Sequence, residues 1–374
     1  MRFIPFTYMS QEQITPVPLI MTINTTAEGN NYVVSLPYYS GGTYSGTIDW
    51  GDGNTSGNTY ANNAHTYVTA GTYTITILGG IFGFNTLNTT TSGTMKNVLT
   101  AITQFGNNFN FGNSNAGKFS GSKILTSISS DIPLSGVNFS AMFEDCTLFN
   151  QNISSWDVSV GGDDMSQMFE QSGFNQDISS WNVSNVTKMN SMFYFTSFNQ
   201  PLNSWNVSNV TNMSAMFQLS SFNQPLNSWN VGNVTNMTSM FRSTGFNQSI
   251  NSWNVGNVTI MTNIFSNNGS FNQALNSWNV SGVTSMEGML RNATSFNQNI
   301  GSWNVGNVTT MAEMLKGATS FTTANLDNIY NGWSALPSLQ SNVPFECPPC
   351  YNATAGRAVL TGTYNWSITD GGVC

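Results

Sequence analysis

Charged residues are unusually rare in this sequence. Lysine, arginine, aspartate and glutamate make up 7% of the 374 residues, against roughly a quarter of an ordinary soluble chain. The nine basic residues and the net charge of −8 leave no basic footprint for a phosphate backbone. We therefore expect no nucleic-acid partner. The same shortage of basic residues argues against binding to an anionic membrane surface.

Long apolar runs are also missing. No stretch approaches the roughly 18 apolar residues that a membrane-spanning helix needs, so membrane insertion is not expected. Near the start, Gln11, Glu12 and Gln13, together with three prolines, interrupt any apolar core. A secretory signal peptide is therefore not expected either. The composition resembles that of an extracellular surface, but a conventional export signal is lacking.

Histidine and cysteine are too few for most metal or catalytic sites. His65 is the only histidine, which excludes a multi-histidine metal site and weakens any histidine-based triad. A zinc site wants four ligands, and a redox Cys-x-x-Cys opens a helix, whereas Cys347 and Cys350 enclose two prolines. The sequence favours a disulfide of Cys374 with Cys347 or Cys350, and free thiols are the alternative. Cys146 is expected to be buried and inert.

The usual catalytic motifs are absent too, and we expect no enzymatic activity, no catalytic residues, no cofactor and no metal. Asp163 and Asp164, in a longer bend, are candidates for calcium, with hydrated surface carboxylates as the alternative. Asp49 and Asp52 can be interpreted as catalytic carboxylates or calcium ligands. The favoured interpretation is that both aspartates cap the backbone of their own turn. His65 is expected to pack at a strand edge.

What the sequence does contain is a repeat of 24 or 25 residues. The phenylalanine of a Phe-Asn-Gln motif stands at Phe149, Phe174, Phe198, Phe222, Phe246, Phe271 and Phe296. A tryptophan follows at Trp156, Trp181, Trp205, Trp229, Trp253, Trp278 and Trp303. A fixed period of this length predicts stacked units whose shared core these aromatic side chains form. Tryptophans exposed on a polar face would instead form a row for stacking on sugars.

Within one repeat, the apolar residues divide into two groups. Met213, Met216 and Phe217 have the i, i+3, i+4 spacing of one helical turn. Phe222 and Leu226 flank a stretch that is expected to be extended. Each coil is therefore predicted to hold a short strand, a bend at Trp-Asn-Val and a short helical turn. Stacking would align the asparagines of Phe-Asn-Gln and Trp-Asn-Val in hydrogen-bonded columns, where charges would repel one another.

The repeat pattern Met-x-x-Met-Phe…Phe-Asn-Gln-x-Leu-x-x-Trp-x-Val-Ser-Asn-Val-Thr resembles the BspA-like surface-protein repeat, a branch of the leucine-rich-repeat group. The resemblance covers about residues 141–321. It implies a right-handed coil with short strands on one face. It also implies a surface location, adhesion-type roles and no catalytic residues.

Before the repeats, the sequence has the short alternating segments of a β-domain. Residues 72–77 alternate and predict a strand. The segment Ile48-Asp-Trp-Gly-Asp-Gly53, together with His65-Thr-Tyr67, resembles the polycystic kidney disease (PKD) domain. This resemblance implies an Ig-like β-sandwich. After the repeats, residues 326–333 predict a short helix.

The predicted fold class is mainly β. It consists of an N-terminal Ig-like β-sandwich followed by a right-handed leucine-rich-repeat-like solenoid with a C-terminal cap. The predicted units are an N-terminal arm over 1–17, the sandwich over 18–80, degenerate coils over 81–140, the repeat solenoid over 141–325 and the cap over 326–374.

The predicted function is that of a non-enzymatic structural and binding protein on a virion surface, as a phage or virus fibre, spike or capsid decoration. The N-terminal module is expected to contact other virion or surface proteins, and the solenoid to bind a host surface protein or glycan, within a multimeric assembly. The alternative is a bacterial cell-surface adhesin of the BspA-like family. A third hypothesis, a carbohydrate-active enzyme, would require Asp49 or Asp163 in catalysis. Binding is expected to depend little on salt.

Overall fold

In a computed structural model, the chain is described over residues 16–86, 94–112 and 116–374. Most of the predicted N-terminal arm thus lies outside the described residues. No helix within these ranges is both long and apolar enough to span a bilayer.

In the described residues, the strands are concentrated before the repeats, and two of the three α-helices lie after the repeats. The strands are β1 (Leu19–Asn24), β2 (Tyr32–Ser35), β3 (Thr43–Tyr44), β4 (Thr47–Asp49), β5 (Thr55–Gly57), β6 (Ala64–Tyr67), β7 (Thr72–Leu78), β8 (Ile81–Phe82), β9 (Leu99–Gln104), β10 (Phe109–Asn110), β11 (Ser127–Ile128), β12 (Pro344–Glu346) and β13 (Ser367–Thr369). The helices are α1 (Thr94–Val98), α2 (Thr323–Ser334) and α3 (Thr354–Gly362), and short 3-10 segments lie at Tyr60–Asn62 and Val158–Val160.

The largest sheet has six strands in the order β11-β9-β1-β7-β4-β5. Strand β1 lies near its centre, and every second side chain of β1 is buried. Leu19, Met21 and Ile23 are at most 2% exposed. Strands β2 and β6 form a separate antiparallel pair, and β10, β8 and β3 form a three-stranded sheet. The core of this region therefore lies under several small sheets.

The predicted fold class is wrong. Helix and strand account for 9% and 16% of the structure, and the strands belong to several small sheets. The six-stranded sheet takes β9 and β11 from beyond residue 80, so the structure does not show a self-contained Ig-like sandwich over 18–80. Nor does it show a leucine-rich-repeat-like solenoid of strands and helical turns.

The repeats are built from tight turns instead of the predicted helical turn. Ala215 and Leu219 have φ values of 55° and 59°, in the left-handed region that a right-handed helix excludes. Between them, the N–H of Met216 donates to the carbonyl of Met213 at 3.2 Å, which closes a β-turn. The i, i+3, i+4 spacing thus arises here from consecutive tight turns. Sequence periodicity alone cannot distinguish such turns from a helical turn.

Each repeat lies against the next one. The contact includes parallel bridges of a single residue, which join Asp164, Lys188, Asn212, Asn236, Ile260, Ser285 and Thr310 in that order. Phenylalanine rings stack between repeats as well, with 5.8 Å between the ring centroids of Phe193 and Phe217 and of Phe217 and Phe241. The tryptophans add hydrogen bonds, since Trp205 Nε1 donates to the carbonyl of Ile178 at 3.0 Å. A repeat is therefore stabilised mainly by its two neighbours.

The last repeat is covered by the C-terminal segment. Met311 forms a parallel bridge with Phe345 of β12. Helix α2 buries four side chains on one face: Leu326, Ile329, Tyr330 and Trp333. A disulfide between Cys350 and Cys374 ties the end of the chain to this segment.

One lysine side chain is fully buried near the start of the repeats. Lys118 is 0% exposed, and burial lowers the pKa of its ammonium group from 10.5 to about 8, because a charged group loses its hydration there. Between these pH values, the unfolded chain binds more protons than the native protein. The free energy of unfolding therefore rises as the pH increases from about 8 to 10.5.

We expect Lys118→Met to remove this rise. One unit of pKa shift corresponds to about 1.36 kcal/mol, so the difference between variant and parent should change by at most about 3.4 kcal/mol across the window. Urea unfolding of both proteins at either end of this pH range measures it. A difference that stays constant with pH would show that Lys118 does not titrate as its burial implies.

Candidate binding site

The two aspartates considered for calcium are occupied by their own chain. Asp163 Oδ2 accepts from Thr187 Oγ1 at 2.7 Å. Asp164 accepts from the Ser166 N–H at 2.9 Å and forms an ion pair of 3.3 Å with Lys188. The residues that the structure describes contain no group of three or more metal-ligating side chains. These carboxylates serve the stacking of repeats.

The acidic pair near His65 likewise serves its own turn. Asp49 and Asp52 accept backbone N–H bonds from Gly51 and Asn54 at 2.9 and 3.1 Å. Asp52 also bonds His65 Nε2 at 2.7 Å. Burial acts to raise the pKa of Asp52, but the bonds from His65 and Asn54 outweigh it and lower that pKa below its ordinary value. The arrangement is a capped turn, as turn chemistry predicts.

The cysteines give no reactive thiol. Of the two pairings left open by the sequence, the structure has Cys350 with Cys374. Cys146 and Cys347 are free and buried, and burial strongly raises the pKa of both thiols. A thiol that stays protonated is a poor nucleophile and a poor metal ligand.

The repeated aromatic residues face inward. The seven phenylalanines are 0% exposed and the seven tryptophans at most 6% exposed. They form the shared core between repeats, so the tryptophans do not present a row of rings on which sugars stack.

The asparagines of the two motifs behave differently. In Phe-Asn-Gln the predicted column is present. The N–H of Asn199 donates to Asn175 Oδ1 at 3.0 Å, and Gln200 Nε2 donates to the same oxygen at 3.2 Å. In Trp-Asn-Val, by contrast, Asn206 Oδ1 accepts from the N–H of Ser208 in its own repeat at 3.2 Å. The hydrogen-bonded column predicted for Trp-Asn-Val is therefore not formed by Asn206, and among the described residues its amide nitrogen has no acceptor.

A groove lies where two such repeats meet at the Trp-Asn-Val edge. It has a volume of about 640 Å³, within the range of ordinary ligand pockets. Its lining residues, here called the Asn254 groove, are Ser249, Asn251, Ser252, Trp253, Asn254, Ser277 and Asn279. None of them is charged, so the groove presents neutral amides and hydroxyls.

Hydrogen bonds within the groove fix some of its side chains and leave others available. Asn251 Nδ2 donates to Ser277 Oγ at 3.1 Å, and the N–H of Ser277 donates back to Asn251 Oδ1 at 3.0 Å. Asn254 and Asn279 each use Oδ1 to cap the turn that follows. Within the described part of the chain, the Nδ2 groups of Asn254 and Asn279 have no protein acceptor. The groove thus holds two positioned donors.

Sequence reasoning did not identify this groove. The residues that line it belong to the repeat and differ little from their equivalents elsewhere. Gly256 stands where Ser184 and Ser208 stand in two other repeats, but Gly232 and Gly306 also have glycine there, so this residue does not distinguish the groove in the sequence. A Cβ at Gly256 would lie 3.3 Å from Asn254 Oδ1, so the glycine leaves more room beside the groove.

A family model described as "Mycoplasma protein of unknown function, DUF285" matches residues 135–221 and 218–329. These two matches cover the repeats and together extend over more than half of the chain. No curated protein and no solved structure matches the chain.

Proposed function

Because the chain belongs to the DUF285 family, whose description names no activity, we propose a function from the surface of the repeats: the protein is a non-enzymatic binding protein that holds a neutral saccharide in the Asn254 groove. The unpartnered amide donors of Asn254 and Asn279 carry this proposal. A saccharide offers hydroxyl oxygens as acceptors for such donors and needs no charged partner.

The neutrality of the groove favours a saccharide over a charged ligand. Charged ligands are recognised by opposite charges or by bidentate ion pairs, and no lining residue can form one. Positioned donors at two successive repeats also suit a ligand that itself repeats, such as a glycan chain. Stacking between repeats fixes the spacing of the donors before the ligand arrives, which reduces the entropic cost of binding.

We expect the double variant Asn254→Ala, Asn279→Ala to bind saccharide at least about tenfold more weakly, since one hydrogen bond contributes roughly 0.5 to 1.5 kcal/mol. Binding on a glycan array, followed by titration calorimetry with the glycan retained, measures this. The matched control is Asn304→Ala, which removes an equivalent turn cap, Gly306 N–H to Asn304 Oδ1 at 3.1 Å, outside the groove. Equal losses in both proteins would contradict the proposal.

We also expect binding in the Asn254 groove to be nearly independent of salt, because screening acts on charges and the groove has none. Titrations of the parent protein at low and high sodium chloride test this. A steep loss of affinity with salt would point to a charged ligand bound elsewhere.

Display on a surface, whether of a virion or of a bacterial cell, belongs to the same proposal. A neutral binding groove on a long row of stacked repeats suits attachment to material outside the particle or cell. Imaging with an antibody against the repeats, on purified particles and on intact cells of the source, distinguishes the two locations.

A further inference from the structure

One edge of the repeats carries a row of side chains from the second turn of each repeat. The row, here called the turn row, consists of Glu144, Glu170, Tyr194, Gln218, Arg242, Ser266, Arg291 and Lys316, each with the residue that follows it. Backbone bonds set its order. The N–H of Phe195 donates to the carbonyl of Gln218 at 2.9 Å, and the N–H of Leu219 to that of Arg242 at 2.9 Å. Neighbours in the row therefore belong to adjacent, hydrogen-bonded repeats.

The chemistry of the turn row changes along its length. Acidic residues stand at the N-terminal end, where Glu144, Asp145 and Glu170 follow one another. Basic residues stand at the other end, from Arg242 onward to Arg291 and Lys316. Aromatic and aliphatic side chains lie between the two groups. The row thus has a negative end, an apolar centre and a positive end.

The apolar centre is exposed at a conformational cost. Phe195 and Leu219 are 58% and 40% exposed and have φ values of 53° and 59°, a region that bulky residues enter only with strain. The equivalent positions in other repeats hold polar residues or glycine: Asp145, Gln171, Ser243, Asn267, Asn292 and Gly317. Together with Thr196, Ser197 and Ser221, the two side chains line a hollow of about 260 Å³. Such a patch marks a contact surface.

In the part of the chain that the structure describes, the two charges that flank the centre are not paired with an opposite charge. Within the described ranges, Glu170 and Arg242 form no ion pair, whereas Arg291 pairs with Glu313 at 2.8 Å. Glu170 accepts a hydrogen bond from Gln167 at 2.9 Å. Burial raises the pKa of the Glu170 carboxyl, and the like charge of nearby Glu144 adds to this effect. A cation supplied from outside would relieve this repulsion.

We propose that the turn row binds a second copy of this chain, antiparallel, about a two-fold axis between Phe195 and Leu219. Glu170 stands one repeat before Phe195, and Arg242 stands one repeat after Leu219. A two-fold rotation about that axis brings Glu170 of each copy opposite Arg242 of the other. It also sets Phe195 of each copy against Leu219 of the other.

The pattern of the row specifies this partner. A two-fold interface must be self-complementary, since the same patch contributes both sides. A row that is acidic on one side of an apolar centre and basic on the other meets this condition only when the second copy is antiparallel. A parallel arrangement would place Glu170 against Glu170, and like charges in contact are unfavourable.

The test uses the full chain in sedimentation velocity and light scattering over a series of concentrations. We expect a dimer whose dissociation constant rises at least about tenfold, or 1.4 kcal/mol, in Phe195→Ser with Leu219→Ser. Serine already occupies the equivalent position at Ser243, so these variants keep a residue that the turn accepts. Circular dichroism confirms that the variants remain folded.

Charge exchange tests the orientation. Glu170→Arg alone and Arg242→Glu alone are each expected to weaken the dimer about tenfold. The double exchange Glu170→Arg, Arg242→Glu is expected to restore it to within about threefold, because the pairs re-form with reversed sign. Glu170 and Arg242 lie three repeats apart in one chain, so recovery can arise only between two chains. A monomer at all concentrations, or a dimer that none of these changes weakens, would overturn the proposal.

Discussion

Replacing Phe217 with alanine is expected to lower the free energy of unfolding by about 3 to 5 kcal/mol. The ring of Phe217 is 0% exposed. Its centroid lies 4.0 Å from that of Phe222 in the same repeat, and 5.8 Å from those of Phe193 and Phe241 in the repeats on either side. Its removal leaves a cavity at a contact that two neighbouring repeats share. Equilibrium unfolding in urea measures the loss.

Phe195→Ala is the matched control for this change. Phe195 is in the preceding repeat but is 58% exposed in the single chain. In the monomer, at concentrations below those at which the proposed dimer forms, its truncation should therefore alter stability by no more than about 0.5 kcal/mol. The residue type and the substitution are the same at both positions, so the contrast reports mainly the difference in burial. Equal losses at both positions would mean that stacking of repeats is not what stabilises the array.

Replacing Asp370 with leucine is expected to cost about 3 kcal/mol, because it leaves a partly buried cation without its partner. The side chain of Asp370 is 4% exposed and accepts from Arg357 Nε at 2.7 Å. It also accepts from the hydroxyl of Tyr330, a fully buried residue of α2, at 2.5 Å. These bonds hold α2 and α3 to the final segment of the chain, which covers the last repeat.

The double variant Asp370→Leu, Arg357→Met separates charge from packing. It removes both members of the ion pair and keeps apolar volume, so we expect it to be less destabilised than Asp370→Leu by about 1 to 2 kcal/mol. Thermal and urea unfolding of the parent and both variants give the comparison. A double variant less stable than the single one would show that the two side chains stabilise the protein independently.

Several local structures could be predicted from the sequence because they depend on neighbours along the chain. The alternation over residues 72–77 corresponds to β7, and the spacing over 326–333 falls within α2. Asp49 and Asp52 cap their turn as expected. In each case a local period or turn signature is sufficient to predict the element, independently of tertiary contacts.

The fold class was wrong for two physical reasons. In the repeats, the i, i+3, i+4 spacing of Met213, Met216 and Phe217 fits a helical turn and a pair of tight turns equally well. What separates the two conformations is the left-handed φ of Ala215 and Leu219. Alanine and leucine rarely adopt such a φ, so the sequence does not indicate it. Before the repeats, pairing of β1 with both β7 and β9 joins segments far apart in sequence, and no local pattern encodes that.

The candidate surfaces were less predictable still. The Asn254 groove requires two adjacent repeats to meet, so no single repeat contains it. The turn row is visible in the sequence only after the turns have been aligned by their backbone bonds. Phe195 and Leu219 appear there as ordinary apolar residues of the repeat.

By itself, the sequence determined that this protein is made of repeats with an aromatic core and a surface almost without charge, since period and composition are properties of the chain alone. Only the tertiary structure decided which polar groups remain without a partner and which charges share an edge. The physical reason is that hydrogen-bond satisfaction and exposure belong to the packed assembly of repeats. Only the packed repeats show that the Nδ2 groups of Asn254 and Asn279 and the ring of Phe195 are available for binding.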